Sequence, residues 1–242
     1  MRLIRFVLTA CALLTAGAVQ ASPFETLDVE AASRWEIKIL TEATLAPSAS
    51  EVFGPAFDVT APLTPGLEAS VTFGQVWAQE GRQASIGFGD VEMAVKAEMA
   101  RQRADGSGLF LTVEPGLLAP TGAQGLSNDA WRLSLPLVAG RDVGRWSLRA
   151  MAAYARNLAG SADREAKLSV LATRKVSDRL RLGGELVWAA AADEGRSLGA
   201  NLGFSWEARE GVEVQARLGR TLVATADRQP ATSLGVFVTK AF

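Results

Sequence analysis

Charged side chains recur on one parity of this chain, while the other parity is apolar. The charged parity carries Glu36, Lys38, Glu68, Glu92, Lys96, Glu98, Glu114, Arg132, Arg149, Lys167, Arg181, Glu185, Glu213 and Arg217, seven carboxylates against seven cations. Side chains of both signs on one face can pair across a sheet or line a wet passage. They offer little other chemistry. Histidine is absent and the single cysteine is Cys11. That removes Ser-His and Cys-His catalysis, His-ligated zinc and disulfides from the chain that follows it. Glu92 and Glu98 form a carboxylate pair without an accompanying nucleophile. The run Gly87-Phe88-Gly89-Asp90-Val91-Glu92 begins like a dinucleotide fingerprint. However, Glu92 stands where the third glycine belongs, and the run opens a strand rather than a helix. No Walker loop, calcium loop or nucleophile elbow occurs. The expectation is a protein that is not an enzyme, with no catalytic residue, no cofactor and no metal. A formal net charge of −1 gives no basic footprint for nucleic acid.

Such a face needs strands to present it. From position 34 onward the chain divides into about twelve alternating stretches. The first sets Trp35, Ile37, Ile39, Ala43 and Leu45 against Glu36, Lys38 and Glu42. The third sets Leu67, Ala69, Val71, Phe73 and Trp77 against Glu68, Ser70, Thr72 and Gly74, and the fourth sets Val91, Met93, Val95, Ala97 and Met99 against Glu92, Ala94, Lys96 and Glu98. The second, near 52–61, is the least regular. Turn-like connections at 63–66, 101–108, 140–144, 176–179 and 208–211 rotate with looser ones at 79–87, 121–128, 158–163, 191–195 and 225–231.

Alternation also occurs in soluble sheets, so the aromatic positions decide. With strands alternating up and down from a periplasmic start, Trp35, Trp146 and Trp206 fall at the lower ends. Trp77, Trp131 and Trp188 fall at the upper ends, with Tyr154 nearby. All share the apolar face and none is mid-strand. A water-soluble core favours tryptophan at strand centres. Lipid favours two interfacial girdles, where the ring is in hydrocarbon and the indole N–H reaches water. Hydrophobic residues make up 48% of the chain, yet no apolar run beyond residue 21 approaches the roughly 20 residues of a spanning helix. A membrane protein of this kind crosses as a closed barrel.

The two ends agree. Arg2 and Arg5 precede an apolar region from Phe6 to Ala18, and Val19-Gln20-Ala21 supplies a cleavage site. Residues 1–21 are therefore expected to be a cleaved secretory signal, with Ser22 starting the mature protein. Leu8-Thr9-Ala10-Cys11 fits a lipobox, but the apolar region runs on past Cys11. Residues 22–33 are expected to form a short periplasmic segment and 34–242 the barrel. At the other end Leu234, Val236, Val238 and Phe242 share one face, opposite Gly235, Thr239 and Ala241. Such a strand with a closing aromatic resembles the terminal strand of bacterial outer-membrane barrels, the signal that the barrel-assembly machinery takes. Arg220 and Lys240 carry outward parity near strand ends, where their long stems can snorkel to the headgroups.

Gly87-Phe88-Gly89-Asp90-Val91-Glu92 running into Val95-Lys96, and Glu114 followed by Pro120-Thr121-Gly122, resemble the outer-membrane protein family of the MetA pathway of phenol degradation. So does Ala172-Thr173-Arg174-Lys175-Val176-Ser177-Asp178-Arg179-Leu180 leading to Gly184-Glu185-Leu186. Ala97 and Glu98 depart from that pattern, where members continue with an aromatic. The resemblance implies an outer-membrane channel or transporter; it implies no phenol substrate and carries no catalytic residues.

The sequence thus predicts an all-β protein, a transmembrane antiparallel up-and-down β-barrel of about twelve strands in the bacterial outer membrane. Its expected role is passage of a small solute through a lumen of mixed charge. Glu92, Lys96, Glu114, Arg149, Glu185 and Arg217 are expected to line the constriction near mid-height. The alternative is a closed structural or surface-interaction barrel that transports nothing, with 79–87 and 121–128 as its contacts. The expected partners are outer-membrane lipid, the solute and the assembly machinery.

Overall fold

The alternating stretches all fold as strands in the computed structural model, which describes residues 24–159, 164–192, 195–225 and 229–242. The expected signal, 1–21, lies outside the described residues. The segments in chain order are β1 (Glu36–Leu45), β2 (Ala49–Thr64), β3 (Leu67–Glu80), β4 (Gln83–Phe88), β5 (Val91–Ala100), β6 (Phe110–Val113) and β7 (Gly116–Ala119). They continue as β8 (Arg132–Val143), β9 (Trp146–Asn157), β10 (Arg164–Lys175), β11 (Leu180–Ala191), β12 (Gly195–Arg209), β13 (Val212–Ala224) and β14 (Thr232–Ala241). Every ladder is antiparallel between neighbours in sequence, and β14 returns to pair with β1 from Glu36↔Ala241 to Leu45↔Thr232. Two pairs of segments are halves of one stave. β4 and β5 both pair with β3, and β6 and β7 lie end to end between β5 and β8. The result is a closed barrel of twelve staves, in which β4 alone among the described segments pairs on one side only.

The breaks have local causes. Pro115 has no N–H for the ladder between β6 and β7, but its carbonyl still accepts from Val95 N at 3.0 Å. Between β4 and β5, Asp90 turns its carboxylate to the backbone of the 120–131 connection, taking Gly122 N and Asn128 N at 2.8 Å each. The glycine-rich run that begins like a nucleotide fingerprint is therefore a loop anchor. The irregular second stretch is also explained: a bulge at Gly54-Pro55 shifts the register of β2 against both neighbours. The stretch 79–87, expected as a loose loop, is mostly strand; β3 and β4 meet across a turn at Gly81, whose φ of 54° suits glycine.

The exterior is a lipid surface. Leu, Val, Ile, Met and Phe side chains stand exposed along the staves, among them Ile39, Val71, Phe73, Leu135, Leu168, Val170, Leu202 and Leu218. Trp35, Trp146 and Trp206 lie at one rim, and Trp77, Trp131 and Trp188 at the other, each at or near a strand end. An apolar band between two aromatic girdles is stable only in a bilayer, which makes this an outer-membrane barrel.

The interior holds more than charge. Leu40, Phe53, Ala56, Val76 and Phe237 form a buried apolar cluster on the inner wall, covered by Leu126 of the 120–131 connection. A second cluster joins Phe110, Val138 and Met151 to Leu27 and Val29. Those two residues belong to the segment expected to sit in the periplasm. That expectation is corrected over the described part: residues 24–34 enter the barrel, where Phe24, Thr26, Leu27 and Val29 are buried.

Candidate functional site

An inward polar wall must satisfy its own charges, and this one does so in two groups and a further pair. On the β3–β5–β6 side, Lys96 Nζ lies 2.9 Å from Glu68 and 3.4 Å from Glu114, the carboxylate between β6 and β7. Across the lumen, Arg217 on β13 reaches Glu42 on β1 at 2.5 Å. Higher on the wall Arg132 Nη2 holds Glu165 at 3.0 Å. These groups face a low-dielectric interior, where a pair is tolerable and a lone charge is not.

The inner segment spans the space between the two groups. On one side Glu185 accepts from Glu25 N at 3.0 Å, from Thr26 N and Thr26 Oγ1 at 2.5 Å, and from Asn201 Nδ2 at 2.7 Å. Thr26 Oγ1 also meets Ser169 Oγ at 2.6 Å, and Glu25 receives Lys167 Nζ at 2.9 Å. Phe24 packs over Gly183, where a Cβ would collide with its ring, and over Gly203, where a Cβ would crowd it. The chain then crosses: Val29 O accepts from Thr112 Oγ1 at 2.6 Å, and Ala31 N donates to Glu98 at 2.7 Å. Ala32 N donates to Glu68, next to Lys96. Residues 24–34 are thus a strap anchored on opposite walls, β10–β12 and β3–β6. Beside it lies a cavity of about 60 Å³ lined by Glu25, Leu27, Glu92, Glu114, Glu165 and Lys167, among others. Ligand sites run to ≈ 300–1,000 Å³, so with the strap in place this space suits a few waters.

The six residues expected at the constriction separate. Glu92, Lys96 and Glu114 share the β5–β6 wall, Glu92 and Glu114 at the cavity and Lys96 with Glu114 in the ion-paired group. Glu185 is the main anchor of the strap, and Arg217 pairs with Glu42. Arg149 is not at mid-height. It lies opposite Gly140 near the lower rim, paired with Asp142 at 2.9 Å and over the Phe110 ring at 5.1 Å. Glu42, Glu51, Asp58 and Glu165 also face inward, so carboxylates outnumber cations on the wall. Parity alone would have found Glu165. Glu51 and Asp58 lie either side of the bulge in β2, where counting by twos fails.

Residues 44–237 match the family described as "Putative MetA-pathway of phenol degradation". No curated protein sequence matches the chain. Among solved structures, the chain is similar to an outer membrane channel from Pseudomonas putida F1, with a TM-score of 0.70 at 16% identity over 89% of this chain and 98% of that one. It is also similar to the KdgM porin, with a TM-score of 0.58 at 13% identity over 85% and 99%. The NanC porin gives a TM-score of 0.56 at 11% identity over 86% and 100%. At these identities the likeness is one of fold.

Proposed function

The chain belongs to the family of the MetA pathway of phenol degradation, and from that premise we propose that it is an outer-membrane channel whose lumen is gated by its own strap. The strap carries the reading. A barrel that served only as a wall could fill its interior with side chains, as small barrels do. Here the interior is filled by a stretch of backbone held by Glu185 on one wall and by Glu98, Glu68 and Thr112 on the other. Withdrawal of residues 24–34 leaves a passage lined by Glu68, Glu92, Lys96, Glu114 and Glu185 on opposing walls. Small polar solutes suit a lumen of both signs, and the excess of carboxylates favours cations weakly over anions. The fold likeness to an outer membrane channel and to two porins agrees with transport.

The closed-barrel reading has one observation on its side, the strap itself, which crosses the lumen from one wall to the other. Liposome swelling separates the two. Glu185→Ala removes the acceptor of Glu25 N, Thr26 N and Thr26 Oγ1, the strap's anchor on one wall, and charged hydrogen bonds of this kind are worth roughly 1.5–3 kcal/mol each. Vesicles carrying the variant should swell in a small sugar about 10-fold faster than those carrying the wild type. A folded Glu185→Ala barrel that passes no sugar sinks the channel and leaves the closed barrel.

A further inference from the structure

The outward faces of β9 to β13 carry no acidic residue, yet four arginines stand at their upper rim. Arg156 is the penultimate residue of β9 and Arg164 the first of β10, and the two are direct cross-strand partners. Arg196, the second residue of β12, pairs with Ala190 of β11. Arg220 on β13 lies between Ala200 of β12 and Thr232, the first residue of β14. All four side chains are exposed, and none of their guanidinium groups meets a carboxylate among the described residues. Neighbouring staves are about 4.8 Å apart, so the four lie within a band five staves wide.

Like charges directly opposite on a sheet destabilise it, so the Arg156–Arg164 pair calls for an anion between the two side chains. Its position states which anion. Arg156 and Arg164 sit beyond Tyr154 toward the strand ends, and Arg196 lies beyond Leu198, the partner of Trp188. Arg220 stands four residues inside the upper end of β13, and farther down are the exposed Leu168, Val170 and Leu186. A ligand here must carry negative charge at headgroup height and acyl chains beneath it. Guanidinium forks match phosphate in a bidentate manner. We propose that this face binds the phosphorylated glycolipid of the outer leaflet, lipid A, with its phosphates held by Arg156, Arg164, Arg196 and Arg220. The site is on the outside of the barrel and does not depend on whether the lumen conducts.

The test uses the purified full-length barrel in detergent and a fluorescent lipid A. Wild type should bind it, and Arg156→Gln with Arg164→Gln should weaken binding about 10-fold. The fourfold variant, with Arg196→Gln and Arg220→Gln added, should bind no better than it binds dephosphorylated lipid A. Arg174→Gln, at the opposite rim over Trp146, should bind as wild type does. Excess inorganic phosphate should leave most of the lipid bound, because it lacks the acyl contacts. A fourfold variant that keeps its heat-modifiable band and binds lipid A like the wild type overturns the proposal. So does equal wild-type affinity for the dephosphorylated lipid, or full displacement by inorganic phosphate.

Discussion

Lys96 sits between Glu68 and Glu114, with each of the three side chains no more than 8% exposed. One cation holding two carboxylates is the smallest unit of this lumen, and it shows why parity could place the residues but not assign their roles. Alternation says that Lys96 faces inward; only the register of β3, β5 and β6 says what it meets. Removing the ammonium leaves two buried carboxylates facing each other. Lys96→Met should therefore lower stability by about 3 kcal/mol, read as a drop in the urea midpoint of the heat-modifiable band. Adding Glu114→Gln to that variant should recover part of the loss, because it removes one of the stranded charges. A Lys96→Met midpoint equal to the wild type would show that water reaches the group freely. Glu185 makes the same point from the opposite wall. It reads as one more inward carboxylate in the sequence, and becomes the strap's anchor through partners 159 and 160 positions away.

Strands were legible because period two is a local property, and the closed sheet followed from apolar exterior and aromatic rims. What escaped was non-local or aperiodic. The bulge at Gly54-Pro55 interrupts the count in β2, which hid Glu51 and Asp58. The strap is too short to show a period, and its apolar residues, Phe24, Leu27 and Val29, are unevenly spaced. A signal was nonetheless present. Val138 and Met151 are apolar residues on the inward parity, and such residues need an apolar partner within the lumen. A glycine supports the bulge from β3: a Cβ on Gly74 would overlap Ala56, whose side chain is fully buried against it. Gly74→Val should therefore prevent β2 and β3 from closing, and the yield of heat-modifiable barrel should fall several-fold. A normal yield would mean that the β2 bulge moves aside without cost.

The whole molecule is a lipid-facing cylinder whose polar bore is crossed by its own N-terminal strap. Its bore is richer in carboxylates than in cations, since Glu42, Glu51, Asp58 and Glu165 add to the seven glutamates, and of these Glu51 and Asp58 escape sequence parity at the β2 bulge. In a salt gradient the open channel should give a reversal potential displaced modestly toward the cation side; one displaced toward the anion side would mean that the cations, not the carboxylates, set the field. The central claim is that the strap gates the bore, and its geometry supplies a reversible lock. Thr26 Oγ1 and Ser169 Oγ are 2.6 Å apart, close enough for a disulfide of about 2.05 Å between cysteines placed there. Single-channel conductance of the Thr26→Cys, Ser169→Cys barrel is the measurement to make, in oxidising and then reducing buffer. A gating strap gives silence when oxidised and openings that appear on reduction. Equal conductance in both buffers, with the disulfide verified, would contradict it.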